Sequence, residues 1–172
     1  MDTDSSLLLI RDEQPRDRKQ VRIVNETAFG RRDEADLIDR LQEEGVVLLS
    51  LVAERNRQII GHILFSRMTV EAAQGSVAAV SLAPMAVLPN HQGCQVGSQL
   101  VRRGLVELRD RGERIVIVLG HKEYYPRFGF SPENARHLAS PFPPDSFMAL
   151  ELYEGALAGI RGAARYPSAF GL

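Results

Sequence analysis

Cysteine is nearly absent from this sequence, since Cys94 is the only one among 172 residues. A single thiol cannot form an intramolecular disulfide, and it cannot supply the several thiolates of a zinc cluster. Free thiols are typical of a reducing compartment. We therefore expect a cytoplasmic protein without a metal site.

Long apolar runs and an excess of charge are missing as well. No run approaches the roughly 20 apolar residues of a membrane helix, and Met1 to Ser6 lacks the positive start of a signal peptide. Lysine and arginine number 21 against 22 aspartate and glutamate residues. Nucleic-acid binders depend on clustered basic groups, and here the arginines are scattered. We expect a soluble protein that binds neither membrane nor nucleic acid.

The patterns that are present predict a single mixed domain covering residues 1–172. Two β-rich runs joined by the polar turn Arg55-Asn56-Arg57 indicate a hairpin, and a strand, turn, helix and strand after residue 77 form a βαβ unit. The predicted strands are 7–11, 46–54, 58–71, 77–88, 114–119 and 147–155, and the predicted helices begin at Pro15 and cover 33–44 and about 97–111. The fold class is α+β, with a mostly antiparallel sheet, one parallel crossover and flanking helices.

The turn between the apolar run that ends near Leu88 and the helix from about Gly97 has a glycine-spaced pattern. A helix N-terminus that follows a small-residue loop presents unpaired N–H groups and favours an anion. The alternative is a strand-to-helix connection that uses glycine only for its geometry. The dinucleotide pattern G-x-G-x-x-G and the Walker pattern are absent, so the two commonest nucleotide loops are excluded.

The stretch "VLPNHQGCQVGSQLVRRGL" resembles the acetyl-CoA pyrophosphate loop of the GNAT superfamily of N-acetyltransferases, written Q/R-x-x-G-x-G/A. Gln92 and Gly97 match its outer positions, and Gln95 stands where the first glycine usually falls. A second stretch, "YYPRFGF", resembles the Y-x-x-x-G-F segment at the start of the family's late helix. The two motifs occur in the family's order, with a helix and the strand "RIVIVL" between them.

The resemblance implies acetyl-CoA as co-substrate and a GNAT-like acyltransferase fold. In this family the pantetheine arm inserts between two splayed parallel strands, which correspond here to the strand through Met85, Ala86 and Val87 and to the strand 115–119. It implies that the pyrophosphate rests on backbone amides of Gln92, Gly93, Cys94, Gln95, Val96, Gly97 and Ser98. The acetyl group would pass directly, in a ternary complex, to a primary amine of a small molecule or of a protein.

The resemblance also suggests catalytic groups. Tyr125 takes the tyrosine place of the second motif and is the expected general acid, while Tyr124 is expected to pack. The N–H near Val87 is the expected oxyanion donor. His121, just past the strand 115–119, is the best placed candidate for the base, and Glu26 is a weaker one.

Two further side chains are assigned structural roles. His62 lies within a strand pattern and is expected in the core or on a sheet face. Cys94 beside a helix N-terminus resembles an activated nucleophile, but no His-Asp partners surround it, and we interpret it as a loop thiol.

Two other function classes stay open. Gln95 and the lack of an evident base motivate a non-catalytic acyl-CoA-binding or sensory module with the same fold. A phosphate-ester enzyme could use the same anion turn. The sequence names no acceptor, and it leaves the oligomeric state open, a homodimer included.

Overall fold

A computed structural model describes residues 7–172 of the chain. The signal-peptide argument concerns Met1 to Ser6, which lie outside the described residues. The described part contains these α-helices and strands: β1 Leu9–Asp12, α1 Arg18–Phe29, α2 Asp33–Glu44, β2 Val47–Arg55, β3 Gln58–Ala72, β4 Gly75–Val87, α3 Val96–Asp110, β5 Ile115–Leu119, β6 Leu138–Ala139, β7 Phe147–Glu151 and β8 Gly162–Arg165.

One mixed sheet organises these elements, with the strand order β1-β2-β3-β4-β5-β7. Neighbours in this order are antiparallel except β4 and β5, which are parallel and are connected through α3. The predicted α+β class with a mostly antiparallel sheet and a βαβ crossover is therefore confirmed. A short second parallel pair, β6 with β8, was not predicted.

The hairpin between β2 and β3 shows how local sequence sets this sheet. Its two turn residues, Asn56 and Arg57, have φ values of 52° and 62°. Two-residue turns with positive φ at both positions match the right-handed twist of the flanking strands. The hairpin predicted around Arg55-Asn56-Arg57 is confirmed.

The helices cover both faces of the sheet. Leu51 and Ala53 of β2 pack in one core cluster with Leu100 of α3. Val52, between them, packs in another cluster with Val24 of α1 and with residues of α2. Because successive strand residues point to opposite faces, α3 lies on one face and the α1–α2 pair lies on the other.

The helix boundaries follow the sequence closely. The structure gives α2 the predicted bounds, and Gly45, with φ of 74°, ends it. The first helix differs at its start, because Pro15–Asp17 forms a 3₁₀ turn before α1 begins.

The late helix implied by the motif resemblance is not formed as an α-helix. Tyr125–Phe128 is a single 3₁₀ turn, and it ends at Gly129 with φ of 100°. Pro126 removes one backbone donor, and the left-handed glycine stops propagation.

The C-terminal region contains β8, for which the sequence carried no prediction. β8 pairs antiparallel with the end of β3. A Cβ on Gly162 would lie 2.7 Å from the carbonyl carbon of Glu71, so only glycine permits this approach. β7 ends at Glu151, four residues before the predicted limit.

No helix within residues 7–172 combines the length and the apolar character needed to cross a membrane.

Candidate functional site

The parallel strands β4 and β5 pair over a short distance and then separate. Their register joins Val80 to Val116 and Leu82 to Val118, and no pairing between the two strands continues past Leu82 within the described residues. Beyond that point β4 remains paired only with β3, and β5 only with β7. The sheet therefore has a gap between 83–87 and the end of β5.

Proline at position 84 lies where β4 changes course. The register between β3 and β4 shifts between Ile63 and Phe65, opposite this segment. Proline cannot donate a ladder hydrogen bond and occurs in strands mainly at edges and bulges. The register shift opposite Pro84 agrees with this preference.

Beyond the irregularity, alternate residues of β4 direct their backbone groups into the gap. Val87 is opposite Gly61, and the N–H of Leu88 donates to the carbonyl of Ile60 at 2.9 Å. This pattern makes Val87 and Gly61 a non-hydrogen-bonded pair, so the N–H and C=O of Val87 point away from β3. Met85, two residues earlier, has the same orientation, while Ala86 faces β3.

A cavity of about 760 Å³ occupies the gap and extends to both faces of the sheet. The predicted site residues that line it are Met85, Val87, Gln92, Gly93, Gln95, Val96, Gly97, Ser98, His121 and Tyr125. The side chain of Ala86 is instead buried in the core beneath α1 and α2. Cys94 is exposed, outside the cavity lining, as expected of a loop thiol.

The loop before α3 holds left-handed residues at two positions. Gly93 has φ of 73° and Gln95 has φ of 64°, so a non-glycine side chain occupies a conformation that favours glycine. The side-chain amide of Gln92 donates to the carbonyl of Val87 at 2.9 Å and joins this loop to the end of β4.

The N-terminus of α3 has unused amides. Its first backbone hydrogen bond runs from the N–H of Gln99 to the carbonyl of Gln95. No side chain among residues 7–172 caps the helix, and its first turn contains no acidic residue. The N–H groups of Val96, Gly97 and Ser98 are therefore available to an anion beside the cavity.

Tyr125 lies behind the end of β5, with 8% of its surface exposed. Its ring packs edge-on against Phe130 and Tyr124, with centroids 5.7 and 5.0 Å away. Burial raises the pKa of Tyr125 above its ordinary value, and Tyr124 adds to the effect. The phenol therefore stays protonated at neutral pH.

Tyr124 is not only a packing residue. Its hydroxyl lies 3.4 Å from Oγ of Ser98, and a Cβ on Gly97 would come within 3.0 Å of it. The guanidinium of Arg127 lies over its ring, 4.6 Å from the centroid. Tyr124 therefore faces the N-terminus of α3.

The other titratable candidates differ in location. His121 is exposed and lines the cavity. Glu26 is outside the lining and pairs with Arg22 at 2.8 Å. His62 is fully buried, as predicted, with Nε2 2.9 Å from Oγ of Ser50.

The α1–α2 wall of the cavity contains residues that sequence analysis missed: Phe29, Arg31, Glu34 and Leu37. Acidic residues in the first turn of a helix are common because they interact favourably with its dipole. The position of Glu34 in α2 therefore gave no signal of a site. Within the described residues, no group of three or more His, Cys, Asp or Glu side chains could hold a metal ion.

Comparison with known proteins identifies the family. A family model for an acetyltransferase (GNAT) domain matches residues 10–132. The uncharacterized N-acetyltransferase YjhQ of Escherichia coli K12 is 42% identical over 130 residues, which cover 74% of this chain and 72% of YjhQ.

Solved structures agree with the sequence comparison. The GNAT family N-acetyltransferase YhbS from Escherichia coli, in complex with CoA, matches 100% of this chain and 96% of its own with a TM-score of 0.91 and 31% identity. A GNAT family acetyltransferase from Brucella melitensis, in complex with acetyl-CoA, matches 96% of this chain and 99% of its own with a TM-score of 0.81 and 32% identity. The chain therefore belongs to the GNAT family and is an N-acetyltransferase.

Proposed function

We propose that this N-acetyltransferase transfers the acetyl group of acetyl-CoA directly to a primary amine of a small molecule or a protein, in a ternary complex. The observation that carries the proposal is the open edge of β4, which adjoins the unused amides of α3 in one cavity. The complexes of the Escherichia coli and Brucella melitensis relatives with CoA and acetyl-CoA support it.

The residues around the gap fit the chemistry of acetyl-CoA. The left-handed loop and the first amides of α3 suit a diphosphate, since both present N–H groups that have no acceptor within residues 7–172. The outward N–H and C=O groups of Met85 suit the amides of a pantetheine arm, which would add to the sheet like a strand. When bound, acetyl-CoA supplies a thioester that an amine can attack.

Two groups of the chain act on the developing charges. The N–H of Val87, directed into the gap, donates to the oxygen of the reacting carbonyl as it becomes negative. Tyr125 donates its phenolic proton to the departing sulfur. Its buried, protonated state at neutral pH suits an acid.

His121 takes the proton of the attacking amine through water. It is exposed on the cavity wall, two residues after the end of β5, and an imidazole nitrogen can accept a proton as a general base. Because His121 is exposed, the proton that it accepts from the amine can pass on to bulk water.

The test is incubation with acetyl-CoA and a panel of primary amines, following free thiol, together with calorimetric titration of CoA. We expect heat on CoA binding and thiol release with at least one amine. Binding of CoA without turnover on any amine would favour a non-catalytic acyl-CoA-binding module. Stabilisation by nucleotides but not by CoA would indicate a phosphate-ester enzyme.

A further inference from the structure

The cavity has an unequal charge distribution along its walls. Its basic and imidazole side chains are Arg31, Arg127, His91 and His121, whereas Glu34 is the only carboxylate that lines it within residues 7–172. Glu34 belongs to α2, on the sheet face opposite α3. The single acidic group therefore lies across the sheet from the anion-binding loop.

Glu34 is held in place but can still accept another donor. Its side chain is 13% exposed, and the Nε of Arg31 lies 3.1 Å from both carboxylate oxygens while Nη2 also donates. A carboxylate offers about four acceptor positions. The side chain of Arg31 is 61% exposed, and ion pairs at such positions are weak and exchangeable.

Apolar side chains lie on the same wall. Phe29 and Leu37 line the same cavity as Glu34, and Phe29 is 40% exposed. An exposed aromatic ring and a carboxylate that line one cavity match a ligand that has a cationic head on an apolar stem, because each part of the ligand then has a partner of its own kind.

On the basis of the proposed function, we propose that Glu34 is the specificity residue that binds the ammonium group of the acceptor before transfer. Phe29 and Leu37 bind the carbon stem that carries the ammonium. The acceptor class is a primary amine on an apolar stem, either a free alkylamine or the side chain of a lysine. Arg31 orients the carboxylate and competes with the amine for it.

The binding test uses the chain with CoA present, so that it does not depend on turnover. Calorimetry compares 2-phenylethylamine with 2-phenylethanol, which lacks the charge, on wild type, Glu34→Gln and Glu43→Gln. We expect the amine to bind wild type and Glu43→Gln alike, and Glu34→Gln at least about tenfold more weakly. Glu43 is the matched control because it is exposed on the same helix as Glu34, outside the cavity lining.

Arg31→Ala provides a change in the opposite direction. Removal of the competing guanidinium should tighten amine binding while the affinity for CoA stays unchanged. Equal binding of amine and alcohol by wild type, or equal amine binding by wild type and Glu34→Gln, would overturn the assignment of Glu34.

Turnover separates this inference from the proposed function. If wild type acetylates an amine and Glu34→Gln leaves the KM of that amine unchanged, only the role of Glu34 fails. If wild type binds the amine through Glu34 but releases no thiol with any acceptor, the proposed transfer reaction is wrong and the assignment of Glu34 as the amine-binding residue is kept. A peptide with one lysine and a blocked N-terminus, compared with the free amine, identifies the source of the acceptor.

Discussion

The ring of Tyr125 lies directly on the backbone of Gly120. A Cβ on Gly120 would lie 2.6 Å from Cδ2 of that ring, closer than real Cβ contacts allow. Glycine at this position therefore lets the tyrosine reach the cavity at the end of β5.

We expect Gly120→Ala to displace Tyr125 and to lower kcat by about tenfold or more, since small misplacements at a reacting centre are costly. The affinity for CoA measured by calorimetry should change little. Gly155→Ala is the control, because its φ of 84° produces strain but nothing lies within 4 Å of the added Cβ. Full activity of Gly120→Ala would show that the position of Tyr125 is unimportant.

Tyr125→Phe should lower kcat by about 100-fold, the lower range for loss of a general acid, with little change in CoA affinity. Because burial raises the pKa of Tyr125, the wild-type phenol keeps its proton on the alkaline side. The kcat profile should therefore show no loss of activity from Tyr125 between pH 7 and about 9. Steady-state kinetics of wild type and Tyr125→Phe over this pH range measure kcat for the comparison.

The informative counterpart is Tyr124→Phe, which should retain most of kcat. Its hydroxyl faces Ser98 at the N-terminus of α3. A large loss in Tyr124→Phe with a small one in Tyr125→Phe would transfer the acid role to Tyr124.

Gln95→Gly should stabilise the protein by up to about 1 kcal/mol. It relieves the strain of a left-handed non-glycine residue, which costs about 1–3 kcal/mol, but ordering a glycine on folding costs more backbone entropy and offsets part of this gain. It should keep or tighten CoA binding. Gln95→Ala retains the strain and removes the side chain. Weaker CoA binding by both variants would show that the Gln95 side chain is itself a ligand contact. Chemical denaturation and calorimetry provide the two readouts.

Glu13 links a buried polar network to stability at low pH. Its Oε2 lies 3.7 Å from Nε2 of His62, and Ser50 donates to it. Burial opposes ionisation, but the nearby His62 imidazole, the hydrogen bond from Ser50 and the Arg18 guanidinium together lower the pKa of Glu13 below its ordinary 4.5. Because the pKa of Glu13 is lower in the folded state than in the unfolded state, its carboxylate stabilises the fold fully above about pH 4.5. This contribution is lost as the pH falls through the lowered pKa of the folded state.

We expect Glu13→Gln to lower the free energy of unfolding by about 1–3 kcal/mol at pH 7, with a smaller difference from wild type near pH 3. Denaturant titrations at both pH values measure this. Glu133→Gln is the surface control, because Glu133 is 78% exposed in its pair with Arg136. An equal effect of Glu13→Gln at both pH values would show that its charge does not matter.

The loop before α3 illustrates what could be predicted along the chain. The order of strand, glycine-spaced turn and helix, together with the matches at Gln92 and Gly97, pointed to an anion site. Gln95 stands where the family motif usually has a glycine, and the structure has φ of 64° there. These features depend on residues within a few positions of one another, so local conformational preferences specify them.

The α1–α2 wall of the cavity illustrates what could not be predicted. Glu34 stands in a Gly-Arg-Arg-Asp-Glu segment that is ordinary for the start of a helix. Only the packing of α1 and α2 over the sheet brings it to the gap between β4 and β5. β8 could not be predicted either. Its Gly-Ala-Ala-Arg sequence has low strand propensity, and pairing with β3 holds it in the sheet.

The sequence by itself determined the β2–β3 hairpin, the limits of α2 and the glycine-spaced turn, because each follows from backbone preferences and apolar periodicity over short distances. The tertiary structure decided that β4 and β5 separate after Leu82 and that Val87 turns its N–H into the gap. It also decided that Tyr125 and Glu34 line the same cavity. These relationships join residues far apart in the chain, so they arise only when the core packs.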